Sequence, residues 1–111
     1  MTYQGPTTGE RNTLLTLQHR STVKDSCGQD VVQWFDVAGA WAKLDGGAGR
    51  EVDRARRLYA DATSVVIIPY MRNVLTTARF RYGRRYLEIV DVGDPDNTRR
   101  FLVCICKEVA S

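Results

Sequence analysis

The sequence predicts an all-β protein: a small antiparallel β-barrel or sandwich of about six or seven strands, with one short α-helix (about 50–62) and long flexible loops. Three observations carry this. Runs of aromatic and β-branched residues recur along the chain, and residues that favour turns separate them. A single segment has apolar residues at helical spacing. The stretch Arg79 to Cys106 reads as hairpin-linked strands, and the remaining strands complete a barrel around it.

Taken in order, Met1 to Asn12 is polar and carries Gly5-Pro6, Gly9 and several threonines. It predicts a flexible arm (1–12) ahead of a single β-barrel domain (13–111). Leu14 to Arg20 is the first strand, with Leu15, Leu17 and His19 on one face by period two. Lys24 to Asp30 is a loop. Val31 to Val37 is the second strand, with Val32 and Trp34 on one face and Val31, Phe35 and Val37 on the other. Gly39 then interrupts, and Ala40 to Leu44 forms a third. A glycine between two short runs marks a bend or bulge, as at a barrel corner.

Asp45-Gly46-Gly47-Ala48-Gly49 is a linker into the helix, Arg50 to Ala62, where Val52, Ala55, Leu58, Tyr59 and Ala62 recur at helical spacing. That apolar stripe is narrow, so the helix is expected to pack on the outside of the barrel. Thr63 to Tyr70 is the fourth strand. Pro69 has no N–H for a ladder and marks an edge or the strand's end. Phe80-Arg81-Tyr82, the turn Gly83-Arg84 and the run Arg85 to Val92 follow. Gly93-Asp94-Pro95-Asp96-Asn97 breaks the chain with turn residues, and Arg100 to Cys106 is the last strand.

The 111 residues fit one domain and one core. A hydrophobic fraction of 43% and a charged fraction of 26% are ordinary for a soluble globular protein. The net charge of +3 permits nucleic-acid contact without demanding it. Cys104 and Cys106 point the same way roughly 6.7 Å apart on a strand, a poor disulfide geometry. A reduced, intracellular site of synthesis is the simpler expectation. No signal-peptide pattern is present, and the apolar run Val65 to Ile68 is far too short to span a bilayer.

No catalytic, metal-binding or cofactor-binding set emerges, and the chain is expected not to be an enzyme. Gly46 to Gly49 precedes a helix but lacks the Lys-Ser/Thr pair of a phosphate loop. His19, Cys27, Cys104 and Cys106 lack the spacing of a zinc site, and buried thiols behave as small apolar residues. His19 alone has no nucleophile or carboxylate set beside it. Arg79, Arg81, Arg84 and Arg85 interleave with Phe80, Tyr82 and Tyr86. Such interleaving on a small barrel binds single-stranded nucleic acid by stacking and phosphate contact; a solvated arginine face explains it equally.

The order of motifs resembles the head-closure (stopper) family of tailed-bacteriophage head–tail joining proteins, over roughly Leu14 to Glu108. Leu17-Gln18-His19-Arg20 stands at the family's opening strand, followed by Gly28-Gln29. Trp34 and the alternating Val37-Ala38-Gly39-Ala40-Trp41-Ala42 come next, then Gly49-Arg50-Glu51 at the helix start. Pro69-Tyr70 ends a strand. Gly83-Arg84, Leu87-Glu88-Ile89, Asp94-Pro95-Asp96 and Cys106-Lys107-Glu108 complete the pattern. Pro69 replaces a usual basic residue and Leu87 a usual tyrosine, so no strand-end charge contact is carried over.

The resemblance implies a structural virion neck protein made in the host bacterial cytoplasm. Such proteins form a six- or twelve-fold ring below the portal and its adaptor. They close the DNA exit channel after packaging and offer the surface to which the tail terminator or tail tube docks. Packaged DNA is then a neighbour that is not read for sequence, and no membrane is involved. The charged helix behind a glycine linker makes Arg50, Glu51, Arg54 and Arg57 the expected inter-subunit or adaptor contacts. Arg79, Arg81, Arg84 and Arg85 are the possible DNA-facing residues. The alternatives are a single-stranded nucleic-acid-binding barrel or another neck component, such as a tail terminator.

Overall fold

The computed structural model describes residues 12–46, 50–95 and 97–109. Six strands and one helix run in the order β1 (Thr13–Lys24), β2 (Asp30–Gly46), α1 (Arg50–Leu58), β3 (Ser64–Pro69), β4 (Arg79–Tyr82), β5 (Arg85–Gly93) and β6 (Phe101–Val109). All neighbours are antiparallel, and the sheet closes as β1-β2-β3-β6-β5-β4. The expected all-β class holds, with six strands. The arm 1–12 falls outside the described residues apart from exposed Asn12.

Alternation builds the barrel. Leu15 and Leu17 of β1, Val66 and Ile68 of β3, Phe80 of β4, Leu87 and Ile89 of β5, and Leu102, Cys104 and Cys106 of β6 all point inward. Val65, Ile67, Phe101, Val103 and Ile105 point the other way, where α1 covers them with Val52 and Ala55. The helix therefore lies outside the barrel, as its narrow stripe predicts. It ends at Leu58 rather than Ala62. The Tyr59 N–H still donates to Ala55 O at 2.8 Å, but Ala62 turns back to donate to Tyr59 O at 3.1 Å. Arg56 Nε donates to Ala62 O at 3.0 Å and closes that turn.

Two expectations about β2 are corrected. The runs Val31–Val37 and Ala40–Leu44 form one strand, and it continues through Asp45 and Gly46, which pair with Val65 and Ser64. Gly39 does not end it. It pairs with Thr16 on the outer face, where Leu14 Cδ1 lies 3.7 Å from the place its Cβ would occupy. The irregularity sits two residues earlier. Leu17 faces Ala38 while Gln18 faces Asp36, so Val37 is an extra residue. A second bulge falls at Val90, between Ile89 and Asp91. Such bulges bend strands at barrel corners.

The lengths of β1 and β2 set the shape. β1 has 12 residues and β2 has 17. β4 pairs with β1 only from Thr16 to Gln18. β3 pairs with β2 only from Lys43 to Gly46. Beyond these, His19–Lys24 pairs only with Asp30–Phe35, and the outer edge of β2 from Asp30 to Ala42 has no strand partner among the described residues. The molecule measures 54 × 26 × 24 Å. Strands rise about 3.3 Å per residue, so the unsupported part projects well beyond the barrel.

Candidate assembly surface

The projecting hairpin ends in a turn built around Asp25. Its Oδ1 accepts the N–H groups of Cys27 and Gln29 at 2.8 and 2.9 Å. Gly28 takes φ +79°, a conformation that favours glycine. Lys24 and Asp30 pair across the neck of the turn at 2.9 Å. The loop expected over 24–30 is confined to 25–29, because Lys24 and Asp30 still pair in the ladder, and its acceptor explains why Asp stands at its head.

The hairpin is also where apolar surface meets solvent. Of the ten large hydrophobic side chains exposed among the described residues, six belong to β1 or β2: Leu14, Val31, Val32, Phe35, Val37 and Trp41. That concentration marks an interaction surface rather than scattered exposure. Val31 and Phe35 stand opposite Val23 and His19 on one face; Val32 and Trp34 stand opposite Thr22 and Arg20 on the other. Val32 is 51% exposed and Phe35 47%, so the described residues cover neither face. Nearer the barrel, Trp41 borders a cleft of about 240 Å³ lined by Gly39, Ala40, Pro69, Tyr70 and Met71.

A polar joint holds the hairpin to the wall. The Arg79 guanidinium lies 4.0 Å from the ring centres of both Trp34 and Tyr86, stacked between them. Its Nε donates to Gln18 Oε1 at 2.8 Å. Gln18 Nε2 donates to Asp36 Oδ1 at 2.7 Å, and Arg81 meets Asp36 Oδ2 at 3.6 Å. Burial lowers the Arg79 pKa, opposed by Tyr86 and Glu88. On the other side, His19 Nε2 lies 2.6 Å from Asn73 O and ties the hairpin base to the loop before β4.

These contacts locate the expected site residues. Arg79 is stacked in the joint, Arg81 faces Asp36, and Arg85 donates to Glu108 Oε1 through Nη2 at 2.6 Å. That bond holds the Glu108 carboxyl below its usual range. Arg84 lies exposed in the turn. The four arginines therefore do not form one open basic face; three are engaged with partners of this chain. Arg54 and Arg57 are exposed on α1. The side chains of Arg50 and Glu51 lie outside the described residues. Arg54 borders a shallow apolar cleft of about 130 Å³ with Ala55, Leu58, Val65, Val103 and Ile105. Leu58 at its rim is 78% exposed.

The four residues weighed as metal ligands lie far apart in role. His19 faces Asn73, Cys27 is exposed at the hairpin turn, and Cys104 and Cys106 are in the barrel core. Burial pushes the Cys104 thiol up to about 12 and the Cys106 thiol well above its ordinary value. Both thiols stay protonated and unreactive. A cleft of about 450 Å³ at the barrel mouth is lined by Tyr70, Met71, Arg72, Asn73, Val74, Val92, Arg99 and Leu102. That lining contains no carboxylate, thiol or imidazole for acid–base or nucleophilic chemistry. No helix among the described residues is long and apolar enough to cross a membrane.

Sequence reasoning missed the joint. The interleaved arginines and aromatics are visible from Arg79 to Tyr86, but Trp34, Gln18 and Asp36 reach Arg79 and Arg81 only through barrel closure. A buried glutamine beside an apolar strand, Gln18 after Leu15 and Leu17, was the signal available.

The barrel resembles the solution structure of a protein from Shigella flexneri 2a, with a TM-score of 0.73 and 24% identity over 94% of this chain and 97% of that one. It also resembles a chain from the virion of a native gene transfer agent particle, with a TM-score of 0.61 and 23% identity over 90% and 96% of the two chains. At these identities the likeness is one of fold. No curated protein matches the sequence. The sequence pattern that defines phage head completion proteins matches residues 6–109. By that match over most of its length, the chain belongs to the phage head completion protein family, whose role is structural.

Proposed function

We propose that the protein works in the virion neck, as a ring below the portal and adaptor that closes the DNA exit channel after packaging and gives the tail its docking surface. The observation that carries this reading is the projecting hairpin, which exposes apolar side chains on both faces among the described residues. In a member of a head completion family, that surface calls for protein partners. The virion setting of the gene transfer agent chain supports the same reading. The ring's own copies, the adaptor above and the tail terminator or tail tube below are the proposed partners.

The exposed Arg54 and Arg57 of α1, with Arg50 and Glu51, are the proposed inter-subunit or adaptor contacts of the helix. Joint reversal, Arg54→Glu with Arg57→Glu, should reduce joining of tails to heads; full joining would remove them from the interface. The nucleic-acid alternative predicts steeply salt-dependent oligonucleotide binding. The engagement of Arg79, Arg81 and Arg85 by Trp34, Tyr86, Asp36 and Glu108 gives it no support.

The test is deletion of the gene with complementation, and electron microscopy of the lysate. Separate tails beside heads that have lost DNA are expected. Heads that keep DNA but lack tails would move the role from closure to docking. Normal particles would refute the reading.

A further inference from the structure

The two edges of the projecting hairpin differ in charge. From His19 to Lys24, β1 carries Arg20 and Lys24 and no acid; from Asp30 to Ala42, β2 carries Asp30 and Asp36 and no base. No third strand among the described residues pairs with either edge over those stretches. Such edges are templates for another strand. The flanking side chains Val31, Val32 and Phe35 are apolar and exposed, so pairing would also bury surface. A two-stranded ribbon is marginal by itself, and adding strands stabilises it.

We propose that hairpins of successive copies pair edge to edge, the β2 edge of one against the β1 edge of the next. This rests on the ring reading above and specifies its contact. The charge pattern selects the arrangement. Pairing two β1 edges, or two β2 edges, would make a twofold dimer and would set like charges against each other. Pairing β2 with β1 sets Asp30, at the tip of one hairpin, against the Lys24 end of the next. Because the two edges lie on opposite sides of one hairpin, that contact is head to tail, the kind that closes by rotation into a ring. The hairpins then form a continuous antiparallel wall with no open edge, and the apolar residues of each copy lie against those of the next.

The test uses two full-length variants, Lys24→Asp and Asp30→Lys, and heads purified from the deletion lysate, which carry the portal and adaptor but lack the chain. Both positions are largely exposed, with side chains 71% and 67% accessible, so the fold tolerates the changes. Each variant breaks its own Lys24–Asp30 pair and places like charges at every contact between copies. In an equimolar mixture, an alternating ring restores opposite charges between copies while every internal pair stays broken. Ring density below the portal by electron microscopy is the readout. Each variant alone should need roughly tenfold more protein than wild type to form rings, and the mixture should recover most of that loss. Wild-type behaviour of either variant alone, or a mixture no better than its parts, would overturn the edge pairing and leave the ring reading intact. Wild-type chain that forms no ring on these heads would overturn the ring reading itself, and the edge pairing with it.

Discussion

The barrel and the hairpin use the same alternating code to opposite ends. In the barrel, Leu15, Leu17, Phe80 and Leu87 face inward and are fully buried. In the hairpin, Val31 and Phe35 lie on the face that continues the barrel interior, yet they meet solvent. The difference is not composition. It is the number of strands: a closed sheet gives each inward residue a roof, and a ribbon gives it none. Stability should therefore reside in the barrel and partner recognition in the hairpin.

The largest expected effect tests this division directly. Phe80→Ala should cost about 3–5 kcal/mol, a large share of a small domain's stability, while Phe35→Ala should change it by less than about 0.5 kcal/mol. Urea unfolding of the two variants measures both. Similar losses would mean that the hairpin is part of the core.

The joint between the regions should rank next. Arg79→Ala removes two stacking contacts and leaves Gln18 Oε1 without its donor, for a loss of about 1–3 kcal/mol. Arg79→Lys should recover little of it, because an ammonium lacks the planar face. Trp34 fluorescence should shift in both variants; an unchanged spectrum would show that the joint does not hold Trp34.

The buried thiols make a pH prediction. Their folded-state pKa values lie above the ordinary thiol value, so their contribution is complete below that value. As pH rises, the unfolded chain ionises first and stability falls, from roughly pH 8.5. For Cys104 the loss continues to about pH 12. Thermal melts across the alkaline range should show the decline, and Cys104→Ala should make it shallower. A thiol reagent should modify Cys27 in the native protein and all three cysteines only after unfolding. The smallest effect belongs to the rim: Glu108→Gln, which loses the Arg85 pair, should cost about 0–1 kcal/mol and only above the pH where Glu108 is ionised.

The strands were legible in the sequence wherever a run of β-branched residues met a turn signal, as at Ser64–Pro69 and Arg85–Gly93. The two pieces of β2 were not legible as one strand. Gly39 reads as a break, but it points outward beneath Leu14 and a ladder tolerates it there; Val37, which carries the bulge, has no sequence mark at all. Arg79 was visible as a candidate nucleic-acid contact, and its stacked position depends on Trp34, distant in sequence. The exposure of Val32 and Phe35 was hidden for a related reason. A strand's pattern states which residues share a face, not where its neighbours stop.

The bulge at Val37 has a consequence for how this family's members can diverge. Inside the barrel, the even-numbered β2 residues Ala38, Ala40 and Ala42 share the face of Leu15 and Leu17; past Val37 the even-numbered Trp34 and Asp36 lie outward with Gln18. The extra residue resets the phase, so the hairpin's pattern is keyed to Val37 and not to the barrel. Lengthening both arms by two residues each would preserve every face and extend the tip by about 7 Å. A single-residue change in one arm would exchange that arm's faces. The hairpin is thus a spacer that can be retuned in fixed steps, leaving the barrel beneath it untouched.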